Sequence, residues 1–195
     1  LLECGVTTLI SSVLTETIMC TTDSPLILHH TTIPEVPILD VVHLAASQQG
    51  LIAIAYSIST EKFLIQLASE HHHVLLPNGD ELESARTQLR EYLHGARTQF
   101  SLRLDLSHLT KFQLLVLNAV ASVPYGETRS YGEISAQIGR PHAARAVGGA
   151  NARNPLPIVI PCHRVIAADD SLGGYSGPGG LRTKRSLLDL EGVYF

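Results

Sequence analysis

Cysteine is scarce and poorly spaced for bridging: only Cys4, Cys20 and Cys162 occur in 195 residues. An odd number at wide intervals gives no disulfide framework and no paired CxxC zinc signature. A reducing, intracellular compartment suits such a chain. No apolar run reaches the roughly 20 residues that cross a bilayer. Basic residues are missing from the whole N-terminal stretch, the first being Lys62. A secretory leader needs a basic start, so the apolar, Thr/Ser-rich residues 1–20 are not read as one. The initial Met is missing too, as expected of a processed or truncated chain. These absences place the protein in the cytoplasm, or in the nucleus if the source is eukaryotic.

What remains is a globular composition, 45% hydrophobic and 16% charged, long enough for one or two domains with a buried core. The net charge of −4 argues at first against a polyanionic partner. Its distribution argues otherwise. Residues 1–110 hold five Lys/Arg against twelve Asp/Glu, residues 111–195 nine against six, and Ile134–Ala168 four arginines with no acid. A local basic face attracts a polyanion despite an acidic total, although an ordinary solvated face has the same composition.

Residues 1–34 show no clear periodicity and take no assignment. Ile38–Ala45 and Leu51–Ile58 are apolar and partly β-branched, and the Ser47-Gln48-Gln49-Gly50 break between them predicts a hairpin. Helices are expected at Glu61–Glu70 and Asp80–His94, with a short strand at Val74–Leu76. This is a small α/β domain, residues 35–106, without visible chemistry. Three adjacent histidines, His71-His72-His73, are read as solvated rather than metal-binding.

Residues 107–195 are better punctuated. Thr110 with Gln113 is a capping-box pattern opening an apolar helix over Lys111–Ser122, and Ser130 with Glu133 repeats it for a helix to Ile138. Gly139-Arg140-Pro141 is a turn with Pro placed to begin a helix from His142 to about Ala150. Two short helices around a Gly turn make a helix-turn-helix candidate. The second is small-sided (Ala143, Ala144, Ala146, Gly148, Gly149, Ala150), with Arg145 its one long cation. Close internal packing and close approach to a DNA backbone both fit. The expected fold is thus α/β (α+β): an N-terminal α/β domain, then a mainly helical domain with a winged-helix-like helix-turn-helix.

An apolar strand is expected at Leu156–Ile160, leading into Pro161-Cys162-His163-Arg164. A free thiol of pKa about 8.5 is only a few per cent thiolate at neutral pH. The adjacent His163, Arg164 and a helical turn begun by Pro161 are the features that raise that fraction. An inert core cysteine is the competing reading.

From about Phe112 to Gly192 the chain resembles the C-terminal domain of the O6-alkylguanine-DNA alkyltransferases. VPYGETRSYGEI, ARAVGGANARNP, IPCHRVI and the closing GGL..KR.LL..EG carry the match. The region from Ile38 resembles that family's N-terminal domain only in layout. The resemblance implies single-turnover repair by direct reversal, in which Cys162 accepts the alkyl group of O6-alkylguanine (and possibly O4-alkylthymine) as a thioether. It implies that His163 deprotonates Cys162 through a water, that Glu191 orients His163, and that Asn154 supports the site by hydrogen bonding. Tyr131 would donate to the purine as its oxygen gathers charge, and Val165 would give backbone contacts to the base. Arg145 would fill the space of an extruded nucleotide while Ala144 and its small neighbours press into the minor groove. Here SGPGGL replaces the family's shorter YSGGL form, so Ser176 is matched to the base-contacting position with Pro178 its rival. No metal or cofactor is implied. Cys4, Cys20, His29 and His30 do not align with the zinc site some members carry. The expected partner is double-stranded DNA holding alkylated guanine, bound by a monomer, with no membrane involved. A DNA-binding module without chemistry and a cysteine hydrolase using Cys162 and His163 are the rival functions.

Overall fold

A computed structural model describes residues 26–70, 73–77 and 79–195. Its first strand, β1 (Leu26–Val36), lies mostly in the stretch where no periodicity is legible. The reason is its place in the sheet. β1 is an inner strand, antiparallel to β2 (Asp40–Ser47) on one side and parallel to β4 (His73–Pro77) on the other. Its His-His-Thr-Thr centre breaks the apolar alternation that marks a strand exposed on one face.

β2 and β3 (Gly50–Tyr56) form the expected hairpin, shifted toward its turn, with Ser47 paired to Gly50. The sheet order is β3-β2-β1-β4. Its two faces are buried differently. Leu28, Ala45 and Ile52 pack under Phe63 and Leu67 of α1 (Thr60–Glu70). Val42, Leu44, Ala46, Ile54 and Tyr56 join the larger core with Leu82, Leu89 and Tyr92 of α2 (Asp80–Leu93). Each large side chain buried this way contributes about 1.5–3 kcal/mol.

β3 is an edge strand, and the rest of the chain covers that edge. Leu51 N–H donates to Arg103 O at 2.8 Å, Leu51 O accepts from Asp105 N–H at 2.9 Å, and Ile54 N–H donates to Pro155 O at 2.8 Å. Gly50 permits this approach: its φ is +147°, and a Cβ there would overlap the Arg103 carbonyl. Ser47 Oγ donates to Asp105 Oδ2 at 2.5 Å in the same buried join. One hydrophobic cluster therefore runs from the sheet through α2 into Val116, Val147, Leu156 and Leu187 of the C-terminal half.

That half is mainly helical: α3 (Lys111–Ala121), α4 (Tyr131–Gln137), α5 (Ala144–Asn151) and α6 (Leu181–Leu190). Two-residue strands β5 (Arg129–Ser130) and β6 (Val165–Ile166) pair in parallel. Both capping boxes form, Thr110 with Gln113 and Ser130 with Glu133. α4 and α5 are joined by the turn at Gly139, whose φ of +69° suits glycine.

Two local expectations are corrected. Pro141 does not open α5, which begins at Ala144. The buried Ser135 hydroxyl accepts from Ala143 N–H and donates to Arg140 O, tying residues 140–143 into the turn. Leu156–Ile160 is no strand either. Pro155 and Pro157 deny it a ladder of N–H donors, Ile158 takes φ +78°, and Ile160 N–H donates back to Leu156 O at 2.8 Å. Its Leu and Ile side chains are buried because the loop folds on itself, not because it pairs.

Candidate active site

That folded loop delivers Pro161 to a short 3-10 turn, Cys162–Arg164. Cys162 N–H donates to Ile160 O at 2.8 Å and Arg164 N–H to Pro161 O at 2.9 Å. At three residues per turn, neighbouring side chains point about 120° apart. Cys162 consequently lines a cavity of about 860 Å³, while His163 and Arg164 turn inward to Glu191. Two asparagines fix the turn. Asn154 Nδ2 donates to Ile160 O at 2.8 Å while its Oδ1 accepts from Leu156 N–H at 3.0 Å, and Asn151 Nδ2 donates to Cys162 O at 3.1 Å.

Glu191, at the C-terminal end of α6, has a fully buried carboxylate. It accepts from His163 Nε2 at 2.8 Å and from Arg164 Nε and Nη2, both at 2.9 Å. Tyr92 Oη and the Gly126 backbone N–H donate to it as well. Burial alone would raise its pKa, but hydrogen bonds from His163 and Arg164 hold it at about 2. The carboxylate is therefore ionised and Arg164 balances its charge. Arg164 also donates to Val123 O at 2.6 Å.

His163 is completely buried, and burial lowers its pKa against the opposing pull of Glu191. The imidazole is neutral, its Nε2 proton committed to Glu191. Nδ1 has no hydrogen-bond partner among the described residues, which leaves its lone pair free as a base. Cys162 is 7% exposed, and burial pushes its thiol pKa up. The opposing influences come from the Asn154 amide, the Lys184 ammonium and the Tyr175 hydroxyl. The expectation that Arg164 assists the thiol is corrected: its charge is spent on Glu191. The resting thiol is protonated and must be deprotonated during reaction, the arrangement of a nucleophile, a base and a group that orients the base.

Of the other sequence-derived residues, Ser176 and Pro178 line the cavity with Cys162, whereas Ala144 and Arg145 are not among its lining residues. Tyr131 begins α4; its ring stacks near Gly148 and Gly173, and its hydroxyl donates to Gly174 O at 3.3 Å. Arg145 is exposed in the first turn of α5 beside half-buried Ala144, with no ion-pair partner among the described residues. The Val165 carbonyl accepts from Lys184 Nζ at 2.5 Å. Ser176 is exposed on the cavity wall, its hydroxyl donating to Ala152 O at 2.9 Å. Pro178 lies on the same wall and its carbonyl accepts from Thr183 Oγ1 at 2.8 Å.

Several participants escape sequence reasoning. Lys184 looks like a surface residue of an amphipathic helix, yet it is fully buried and donates to the carbonyls of Val165, Leu172 and Gly174. Burial lowers its pKa to about 8, and the neighbouring Cys162 opposes that fall. Tyr92 comes from the N-terminal half and carries no local motif; Asn151 of α5 lies within ARAVGGANARNP, but its type gives no sign that it bonds the Cys162 carbonyl. Cys4, Cys20, His71 and His72 lie outside the described residues. Among the described ones no three potential ligands cluster around a metal position, and no helix is long and apolar enough to cross a membrane.

Fold and site together define a protein with a buried thiol on a tight turn that also carries a His163–Glu191 pair. Residues 111–193 match the model of the 6-O-methylguanine DNA methyltransferase DNA binding domain, and residues 32–106 that of the ribonuclease-like domain of the same proteins. The chain is 53% identical over 116 residues to the methylated-DNA–protein-cysteine methyltransferase of Mycobacterium leprae, covering 60% of this chain and 68% of that one. It is 38% identical over 151 residues to the inducible enzyme of Bacillus subtilis, covering 76% and 83%. The crystal structure of Mycobacterium tuberculosis OGT in complex with DNA is similar at a TM-score of 0.71 and 43% identity, covering 84% of this chain and 92% of that one. The chain belongs to the methylated-DNA–protein-cysteine methyltransferase family.

Proposed function

We propose that this protein repairs DNA by direct reversal, transferring an alkyl group from O6-alkylguanine in a duplex to its own Cys162. The observation that carries the reading is the buried Cys162–His163–Glu191 array, in which Glu191 occupies Nε2 of the imidazole and leaves Nδ1 free. Nδ1 takes the thiol proton through a bridging water. Sγ then attacks the alkyl carbon, the S–C bond forming as the C–O6 bond breaks. The electron pair passes to the purine, where the Tyr131 hydroxyl donates a hydrogen bond as charge gathers, and the proton taken up by His163 returns through water to give neutral guanine. Guanine is restored, and the thioether on Cys162 is stable, so each molecule acts once.

The alkylated oxygen of a paired guanine lies within the base stack, and extrusion costs a few kcal/mol. Exposed Arg145, with Ala144 and the small face of α5, suits filling the vacated space from the minor groove. Val165 and Ser176 then contact the base, and Asn154 holds the turn carrying the nucleophile. The segment from β1 to residue 106, which extends the expected 35–106 at its start, serves as the N-terminal domain, and 107–195 as the DNA-binding, alkyl-transferring domain of a monomer working in the cytoplasm, or in a eukaryotic nucleus. Duplex DNA with O6-methylguanine provides the test. A methyl group gained on the Cys162 peptide supports the reading; guanine restored while the protein stays unmodified overturns it.

A further inference from the structure

The N-terminal half places one side chain next to the reactive centre. Tyr56 ends β3, is 2% exposed, and its hydroxyl lies 2.7 Å from that of Tyr175. Tyr175 lines the same cavity as Cys162, and its hydroxyl opposes the rise that burial imposes on the thiol pKa. Both tyrosines line the cavity that contains Cys162. The backbone explains how a residue so distant in sequence arrives there. Ile54, two residues before Tyr56, donates to Pro155 O at 2.8 Å and pins the strand to the loop leading into the cysteine turn. Gly177 comes so close to the Tyr56 hydroxyl that a Cβ there would overlap it.

Two hydroxyls at this distance share one proton along the line between them. If Tyr175 donates to Tyr56, its proton points away from sulfur and the buried Tyr56 proton is left without an acceptor among the described residues. If Tyr56 donates, Tyr175 can donate onward, and every O–H in the row has an acceptor. A donor into the Tyr175 oxygen also polarises the Tyr175 O–H. We propose that Tyr56 is a positioning residue for alkyl transfer, donating to Tyr175 and thereby aiming the Tyr175 hydroxyl at the Cys162 sulfur to stabilise the forming thiolate. The proposal rests on the reading of Cys162 as alkyl acceptor.

The Asn154 amide and Lys184 from α6 also act on the thiol, and Tyr131 of α4 senses it, while His163 from the same turn is turned to Glu191, which Arg164 pairs. Lys62, Glu70, His108 and Arg153 line the outer cavity. Removing only the Tyr56 hydroxyl alters none of these groups.

The test compares wild type, Tyr56→Phe, Tyr175→Phe and the double variant. Cys162 alkylation by iodoacetamide, scored on its peptide across pH, reads the thiol without requiring DNA. Transfer from free O6-methylguanine reads the proposed reaction. Tyr56→Phe is expected to raise the alkylation midpoint by about 0.5–1 pH unit and slow both reactions roughly 3–10-fold below it. The double variant should be no slower than Tyr175→Phe, because Tyr56 acts through Tyr175. An unchanged midpoint, a rate equal to or above wild type, or additive slowing overturns the proposal. Wild type that takes no methyl group from a duplex holding O6-methylguanine contradicts the proposed function instead, and the iodoacetamide comparison still decides the role of Tyr56.

Discussion

The hydrogen bond from His163 Nε2 to Glu191 at 2.8 Å determines which imidazole nitrogen is available as a base. Because Arg164 neutralises the same carboxylate, orientation of the base and burial of the charge depend on one residue.

Glu191→Gln leaves Arg164 buried without its counter-charge and should lower stability by about 3–5 kcal/mol while nearly abolishing alkyl transfer. Replacing both members by apolar residues, Arg164→Met with Glu191→Leu, should recover much of the stability and none of the transfer, since His163 Nε2 then lacks the acceptor that orients it. Thermal unfolding and single-turnover rates measured together check this. Recovered transfer in the double variant would mean that Glu191 serves only the fold.

Stability should fall in two stages on acidification. His163 has a folded pKa below its ordinary 6.5, so the unfolded chain binds its proton first and stability declines as pH drops through that value. Glu191, held at about 2, contributes stability that is full above its ordinary 4.5 and lost as pH falls from there through 2. The second stage amounts to about 3 kcal/mol. Urea unfolding at a series of pH values should show it in wild type and not in Glu191→Gln.

How far these features are legible in the sequence follows from how local their causes are. The capping boxes and the β2–β3 hairpin are written within a few neighbouring residues. Cys162 and His163 adjoin, so their chemistry can be suspected from residues alone. Glu191 has no such local sign: it lies 28 positions from His163 and reaches it through the packing of α6. Only a family resemblance links the two. The apolar run at 156–160 mimics a strand because burial, rather than pairing, selects its residues. Lys184 is hidden for the opposite reason, a charge in a buried position whose three carbonyl partners come from β6 and the segment after it, outside its own helix.

Lys184→Met keeps the bulk of the stem but abandons the carbonyls of Val165, Leu172 and Gly174. Each buried acceptor left unpaired costs about 1–3 kcal/mol. The variant should unfold at lower temperature and transfer alkyl groups slowly, and exchange of amide hydrogens should quicken across residues 165–174. Unchanged exchange in that segment would contradict the tethering role.

Arg145→Ala should slow repair of duplex DNA far more than alkylation by the free O6-alkylguanine base, which needs no extrusion. Arg145→Lys restores the charge but not the planar group, so rescue should be partial. Equal losses on the two substrates would place Arg145 in the fold or the reactive centre rather than in the duplex.

The most direct measurement is a titration of the protein with excess O6-methylguanine duplex, counting methyl groups transferred per molecule and locating them by peptide mass. The account predicts a plateau at one group per protein molecule, all on Cys162, with Cys162→Ala transferring none while still binding the methylated duplex. Continued turnover beyond that plateau, or methylation elsewhere in the chain, would contradict it.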